Sequence, residues 1–144
     1  MPIKNIFTRG PISVALVAES LLQHSTKTDI GAHSLFLGQV RSDIIGGKTV
    51  SAIEYTSYED MALGKMHEIR EAIFVKYPLT CMHVYHSLGT VKAGEISLFV
   101  FTSSVHRRAA IDACNETVEA IKSSLPVWGK ELFDTGDSQW KENK

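Results

Sequence analysis

The sequence predicts an α+β fold with helices packed on a largely antiparallel sheet, in a single domain over residues 1–144. Three observations predict it. The chain has 144 residues of which 44% are apolar, the size and composition of one domain with a real core. Segments with helical periodicity alternate with pairs of strand-like runs, in the order helix–strand–strand–helix–strand–strand–helix. The run Ile96-Ser97-Leu98-Phe99-Val100-Phe101 is almost wholly apolar, the mark of a strand covered on both faces.

Pro11 to Leu22 reads as a first helix, with Val14, Val17 and Leu21 on one side, and Ser25 to Asp29 as a polar connector. His33 to Arg41 is strand-like and runs out into Ile45-Gly46-Gly47-Lys48, a turn signal that predicts a hairpin with the strand Val50 to Tyr58. Glu59 to Lys76 has Ala62, Met66, Ile69 and Ile73 at helical spacing, and Pro78 lies just past its end. Leu79 to His86 and Glu95 to Thr102 are strands joined through Gly89 and Ala93-Gly94. Ile111, Cys114, Val118, Ile121 and Leu125 then recur at steps of three and four, the buried seam of a last helix that Pro126 stops. A short polar tail through Trp140 follows. No repeat, low-complexity tract or long linker interrupts the chain.

Fifteen basic and sixteen acidic residues give a formal net charge of -1, which points to neither nucleic acid nor an anionic membrane as a partner. No stretch approaches the ~18 apolar residues of a membrane span. The N-terminus lacks the apolar segment of a secretory signal, so a cytoplasmic location is expected. Cys81 and Cys114 form neither a Cys-x-x-Cys pair nor a disulfide framework and read as inert buried thiols. No metal site is expected: the spacing of His83 and His86 sends them to opposite faces of a strand, and no two histidines stand four apart. Gly-x-Ser-x-Gly, P-loop and dinucleotide fingerprints are missing.

Chemistry has three candidate places, all basic. Arg41 projects where the strand ending Gly38-Gln39-Val40 leaves the sheet. His106 and Arg107 stand at the start of the last helix, where free backbone N–H groups attract anions but basic side chains oppose the dipole. Lys122, on the shoulder of that helix's buried face, and Lys130 flank the run Leu125-Pro126-Val127-Trp128-Gly129. Each also has a bland reading as a solvated or snorkelling cation.

Taken in order, these landmarks resemble the large, catalytic subunit of molybdopterin synthase, the MoaE family. The matching pieces are Gly38-x-Val40-Arg41, Gly47-x-x-Val50, Glu54-Tyr55 with Tyr58-x-x-Met61-Ala62, and His86-x-x-Gly89 with Gly94-Glu95. They continue through Ser103-x-x-His106-Arg107, the Lys122 helix, Pro126-x-Trp128-x-Lys130-Glu131 and Trp140. The resemblance implies an α/β-hammerhead-like fold and a sulfurtransferase without a cofactor of its own. Such an enzyme moves two sulfurs from the C-terminal Gly-Gly thiocarboxylate of a small ubiquitin-like partner onto cyclic pyranopterin monophosphate, forming the molybdopterin dithiolene. It implies catalytic roles for Lys122 and Lys130, and substrate contacts by Gln39, Val40, Arg41, His106, Arg107, Lys122, Gly129, Lys130 and Glu131. Gly129 stands where the family usually has a lysine, and Ser87 where it commonly has an arginine.

If one helix carries both Arg107 and Lys122, fifteen residues separate them by roughly 22 Å. One pterin-sized ligand cannot touch both from one chain. A homodimer sharing composite pockets is therefore expected, with Lys122, Lys130 and Arg41 from one chain and His106 and Arg107 from the other; the resemblance implies that it sits within a heterotetramer that includes the small partner. Cations gathered around Lys122, together with burial, should depress its pKa. Two other readings remain open: a non-catalytic module of the same fold that holds the partner's tail, and an unrelated α+β enzyme acting on a phosphorylated metabolite.

Overall fold

The computed structural model describes residues 4–142. Eight strands form one open sheet in which β2 (Ala32–Gln39), β6 (Ile96–Ser104), β5 (Leu79–Lys92), β4 (Lys48–Ser57), β7 (Val127–Phe133) and β8 (Ser138–Trp140) lie side by side. These neighbours are all antiparallel. The short β1 (Phe7–Arg9) joins β5 in parallel, and β3 (Ile44–Ile45) pairs with β4.

Among the described residues three helices cover the sheet: α1 (Val14–His24), α2 (Glu59–Lys76) and α3 (Arg107–Ser124). The side chains of β6 alternate between two layers. Leu98 and Val100 join the core beneath α2 and α3, which includes Met66, Ile69, Val118 and Ile121. Phe99 and Phe101, both fully buried, pack with Ile12 and Val17 beneath α1. Coverage on both faces is what the unbroken apolar run of β6 called for.

The helix boundaries have local causes. Ser13 caps α1, its Oγ accepting from the Leu16 N–H at 3.1 Å, so the helix begins after Pro11 rather than at it. Glu59 and Asp60 sit in the first turn of α2, where carboxylates favour the dipole, and the helix stops before Pro78. Pro126 ends α3 one residue beyond its Leu125 cap.

Several expectations change. The glycine turn does close a hairpin, with Gly46 and Gly47 at φ of 58° and 80°, but the partner of β4 there is the two-residue β3. The strand from His33 instead pairs with β6 at the far edge of the sheet. The tail after Pro126 is not irregular: it forms β7, inside the sheet between β4 and β8, and β8 itself. The polar residues of this stretch disguise a strand whose alternate positions face a cleft. The strand from Leu79 extends to Lys92, its first half paired with β6 and its last part with β4. Val14 and Ile111, assigned to buried faces, are 73% and 53% exposed, because α1 covers only a small apolar patch and Ile111 sits beyond the edge of the α3 seam.

Candidate functional site

Lys122 occupies the last turn of α3, where a cation suits the dipole, next to Ile121 in the core. Its side chain lines a cleft of about 740 Å³ between the C-terminal end of α3, the exit of β2 and the faces of β7 and β8. Arg41 reaches the same cleft because Val40 is pinned: its N–H donates to the Glu95 carbonyl at 3.0 Å, and its carbonyl accepts from Gly94 at 2.8 Å. The Val40 side chain is only 2% exposed and packs with Val50, Ile53, Val91 and Phe133. Val40 thus aims its neighbour rather than offering a polar contact. Gln39 also borders the cleft.

Strand alternation sorts the residues after Pro126. Val127, Gly129 and Glu131 face the cleft, while Trp128 and Lys130 belong to the other face. Trp128 meets Tyr58 edge-on at 5.2 Å, and the Lys130 ammonium lies over the Trp140 ring at 5.3 Å. Lys130 is therefore not a wall of the cleft that holds Lys122. Glu131 is buried at 6% exposure and its carboxylate accepts from the Gln139 amide at 3.2 Å.

Gly129 is fixed by close packing. A Cβ there would fall 2.9 Å from Ile53 Cγ2 and 3.4 Å from the Tyr55 ring, so any side chain would displace a buried β-branched neighbour. Across the strand pair, the Lys141 N–H donates to the Gly129 carbonyl at 2.8 Å, and Lys141 lines the cleft. A cation thus stands beside the position where no side chain fits. Nothing in the sequence pointed to Lys141, since it follows a tail that looks irregular.

The cleft is solvent-accessible at Lys122, yet its concave walls displace much of the surrounding water. That desolvation is the main cause holding the Lys122 pKa below that of an ordinary lysine; Lys141 and Arg41 push in the same direction, and Glu119 opposes them. The direction is the one expected from burial together with gathered cations, with burial the larger cause. His86 lies beneath, with Nδ1 2.8 Å from the Ser87 carbonyl, so that nitrogen carries the proton. Burial chiefly, and Lys122 in addition, lower its pKa to about 4 against the pull of that hydrogen bond, leaving a neutral imidazole. Tyr55 donates to Ser97 Oγ at 3.1 Å; burial first, and Glu131 in addition, raise its pKa despite that bond.

Arg41 is tied to Asp43 at 3.3 Å, with side chains 75% and 41% exposed. An exposed pair of this kind contributes about 0–1 kcal/mol, so an incoming anion displaces it readily. His106 and Arg107 are exposed at the opposite end of α3 and do not reach this cleft. One chain thus brings together Gln39, Arg41, Lys122, Gly129 and Glu131, adds Lys141, Tyr55 and His86, and leaves out Lys130, His106 and Arg107.

A family model described as MoaE protein matches residues 7–124. The chain is 42% identical over 117 residues to molybdopterin synthase catalytic subunit 1 of Aedes aegypti, covering 79% of this chain and 75% of that protein. Its fold superposes on the crystal structure of molybdopterin synthase from Staphylococcus aureus with a TM-score of 0.83 at 28% identity, over 97% of this chain and 98% of the other. A complex of subunits 1 and 2 of the molybdopterin-converting factor from Helicobacter pylori shares the fold with a TM-score of 0.80 at 17% identity, over 96% and 90% of the two chains.

Proposed function

The chain belongs to the MoaE protein family, and from that premise we propose that it is the catalytic subunit of a molybdopterin synthase. In this reading it is a sulfurtransferase that accepts a small ubiquitin-like partner ending in a Gly-Gly thiocarboxylate. It moves sulfur from that tail onto cyclic pyranopterin monophosphate. The observation that carries the reading is the Lys122 amine in a cleft with Lys141 and Arg41, its pKa depressed chiefly by desolvation.

Each residue then has a task. Arg41, loosely engaged by Asp43, takes the substrate phosphate, a charge-assisted contact of roughly 1.5–3 kcal/mol. Lys122 as ammonium steadies the thiocarboxylate and the oxyanion that develops on its carbonyl; as amine it accepts a proton. Desolvation first, and Lys141 in addition, favour the amine form of Lys122. His86, neutral and buried below, completes a dry floor that strengthens these interactions. No cysteine of this chain enters the chemistry, since the sulfur comes from the partner.

Arg107 lies too far along α3 to serve the same cleft, so the complete site draws His106 and Arg107 from a second copy, in a homodimer flanked by two small partners. Incubation with the thiocarboxylated partner and the cyclic pterin phosphate should yield the dithiolene product; complex formation without product would reduce the chain to a tail-binding module. Lys122→Arg keeps the charge but cannot usefully deprotonate. We expect it to lose at least tenfold in kcat, and near-normal turnover would leave Lys122 a purely electrostatic part.

A further inference from the structure

On the face of the sheet beneath α1, away from the cleft, three metal-ligating side chains converge. His24 ends α1, and Cys81 and His83 stand two apart on β5, so they share one face of the strand. One ligand atom of each lies within 4.8 Å of the others. His24 is 6% and Cys81 7% exposed. None of the three is a wall of the Lys122 cleft. The sequence concealed the cluster because His24 lies far from the other two in the chain.

The hydrogen bonds already orient the donors. His24 Nδ1 lies 2.6 Å from the Ser20 carbonyl and must carry the proton, so Nε2 presents its lone pair. A carbonyl on the far ring nitrogen is the usual support of a ligating histidine. His24 Nε2 and His83 Nε2 are 2.9 Å apart with a proton between them. That proton belongs to His83, whose Nδ1 faces the Lys4 ammonium, a donor only, at 3.4 Å. Two imidazoles on a tetrahedral zinc, with bonds of about 2.0–2.1 Å, hold their nitrogens roughly 3.3 Å apart. The rings need part by only about 0.4 Å to admit an ion. Lys27 Nζ donates to Cys81 Sγ at 3.1 Å, so the sulfur lone pairs face the cluster's open side.

We propose that His24, Cys81 and His83 form a three-ligand site for a borderline-soft divalent ion of the zinc class, a water taking the fourth position. On binding, Cys81 releases its thiol proton, the His83 proton moves from Nε2 to Nδ1, and the exposed Lys4 and Lys27 swing out to solvent. The ion fastens the end of α1 to β5. That helix otherwise packs through Leu16 and Val17 on a small apolar cluster with Ile12, Phe99 and Phe101.

The test uses the full chain, stripped with a chelator and titrated with Co²⁺ as a spectroscopic substitute for zinc. The expected result is uptake of one ion per chain, with tetrahedral ligand-field bands, a thiolate-to-cobalt charge-transfer band, and displacement by Zn²⁺. Cys81→Ser should abolish the charge-transfer band, and His83→Gln should weaken binding at least tenfold, while His67→Ala, on the exposed face of α2, should change nothing. Lack of stoichiometric uptake by the wild-type chain overturns the site, whatever the variants do. Uptake with the same spectrum and affinity in Cys81→Ser overturns it too. The readout is independent of sulfur transfer, so a failed synthase assay leaves the metal question decided on its own.

Discussion

At the scale of single residues, the cleft is decided by which cations can reach Lys122. Lys141 is coupled to it electrostatically and is placed by one backbone hydrogen bond to Gly129. Because like charge favours the neutral amine, removing Lys141 raises the Lys122 pKa. If the amine form accepts a proton in the rate-determining step, kcat/KM climbs as pH rises through that pKa. In Lys141→Ala this limb should move to higher pH, lowering the rate at fixed neutral pH while the alkaline plateau is largely kept. A uniform loss at every pH would instead mean that Lys141 acts on substrate affinity alone. Lys122 and Arg41 were legible from the chain, because a helix seam and a strand end give their positions directly. Lys141 was not, since its placement depends on the pairing of β7 with the three-residue β8, a contact too short to leave a pattern in the sequence.

At the scale of elements, β7 determines which of the residues after Pro126 can do chemistry. The family resemblance implied a catalytic role for Lys130, but a pleated strand turns neighbours to opposite faces, and Lys130 goes to Trp140. Helices α2 and α3 were readable because their apolar seams are long and end at prolines. The pairing of β2 with β6, and the existence of β7 and β8, were not, because contacts between distant segments leave no local trace. The tight seat of Gly129 against Ile53 and Tyr55 gives a stability prediction. Gly129→Ala lowers the entropy of the unfolded chain, which favours folding, but forces Ile53, which is 3% exposed, out of its packed position. Overpacking of this kind costs about 1–3 kcal/mol, so urea unfolding should show a lower midpoint with an unchanged slope. An equal or higher midpoint would mean that the β4–β7 seam is slack enough to accept a side chain.

At the scale of the whole molecule, the proposed shared site is set by the distance between Arg107 and Lys122 on α3. Lys122 and Arg107 sit at opposite ends of an 18-residue helix, roughly 22 Å apart. The chain also has a face suited to self-association: β2 is a sheet edge, and Leu35, Leu37 and Ile111 beside it are 37%, 43% and 53% exposed. Unprotected edges with apolar side chains are costly to leave in water. A two-fold pairing there would be self-complementary, and the proposed shared pocket requires that it bring the second chain's α3 toward the first chain's cleft. Mixing Lys122→Ala chains with Arg107→Ala chains tests the arrangement. Each parent alone lacks a working site, whereas every mixed dimer combines one doubly damaged site with one intact site. Random exchange then restores about one quarter of the wild-type sites. Activity that recovers toward that level, and only after subunit exchange, supports the shared pocket. Proven heterodimers without recovery would place Arg107 outside the reaction and leave the cleft of a single chain to act alone.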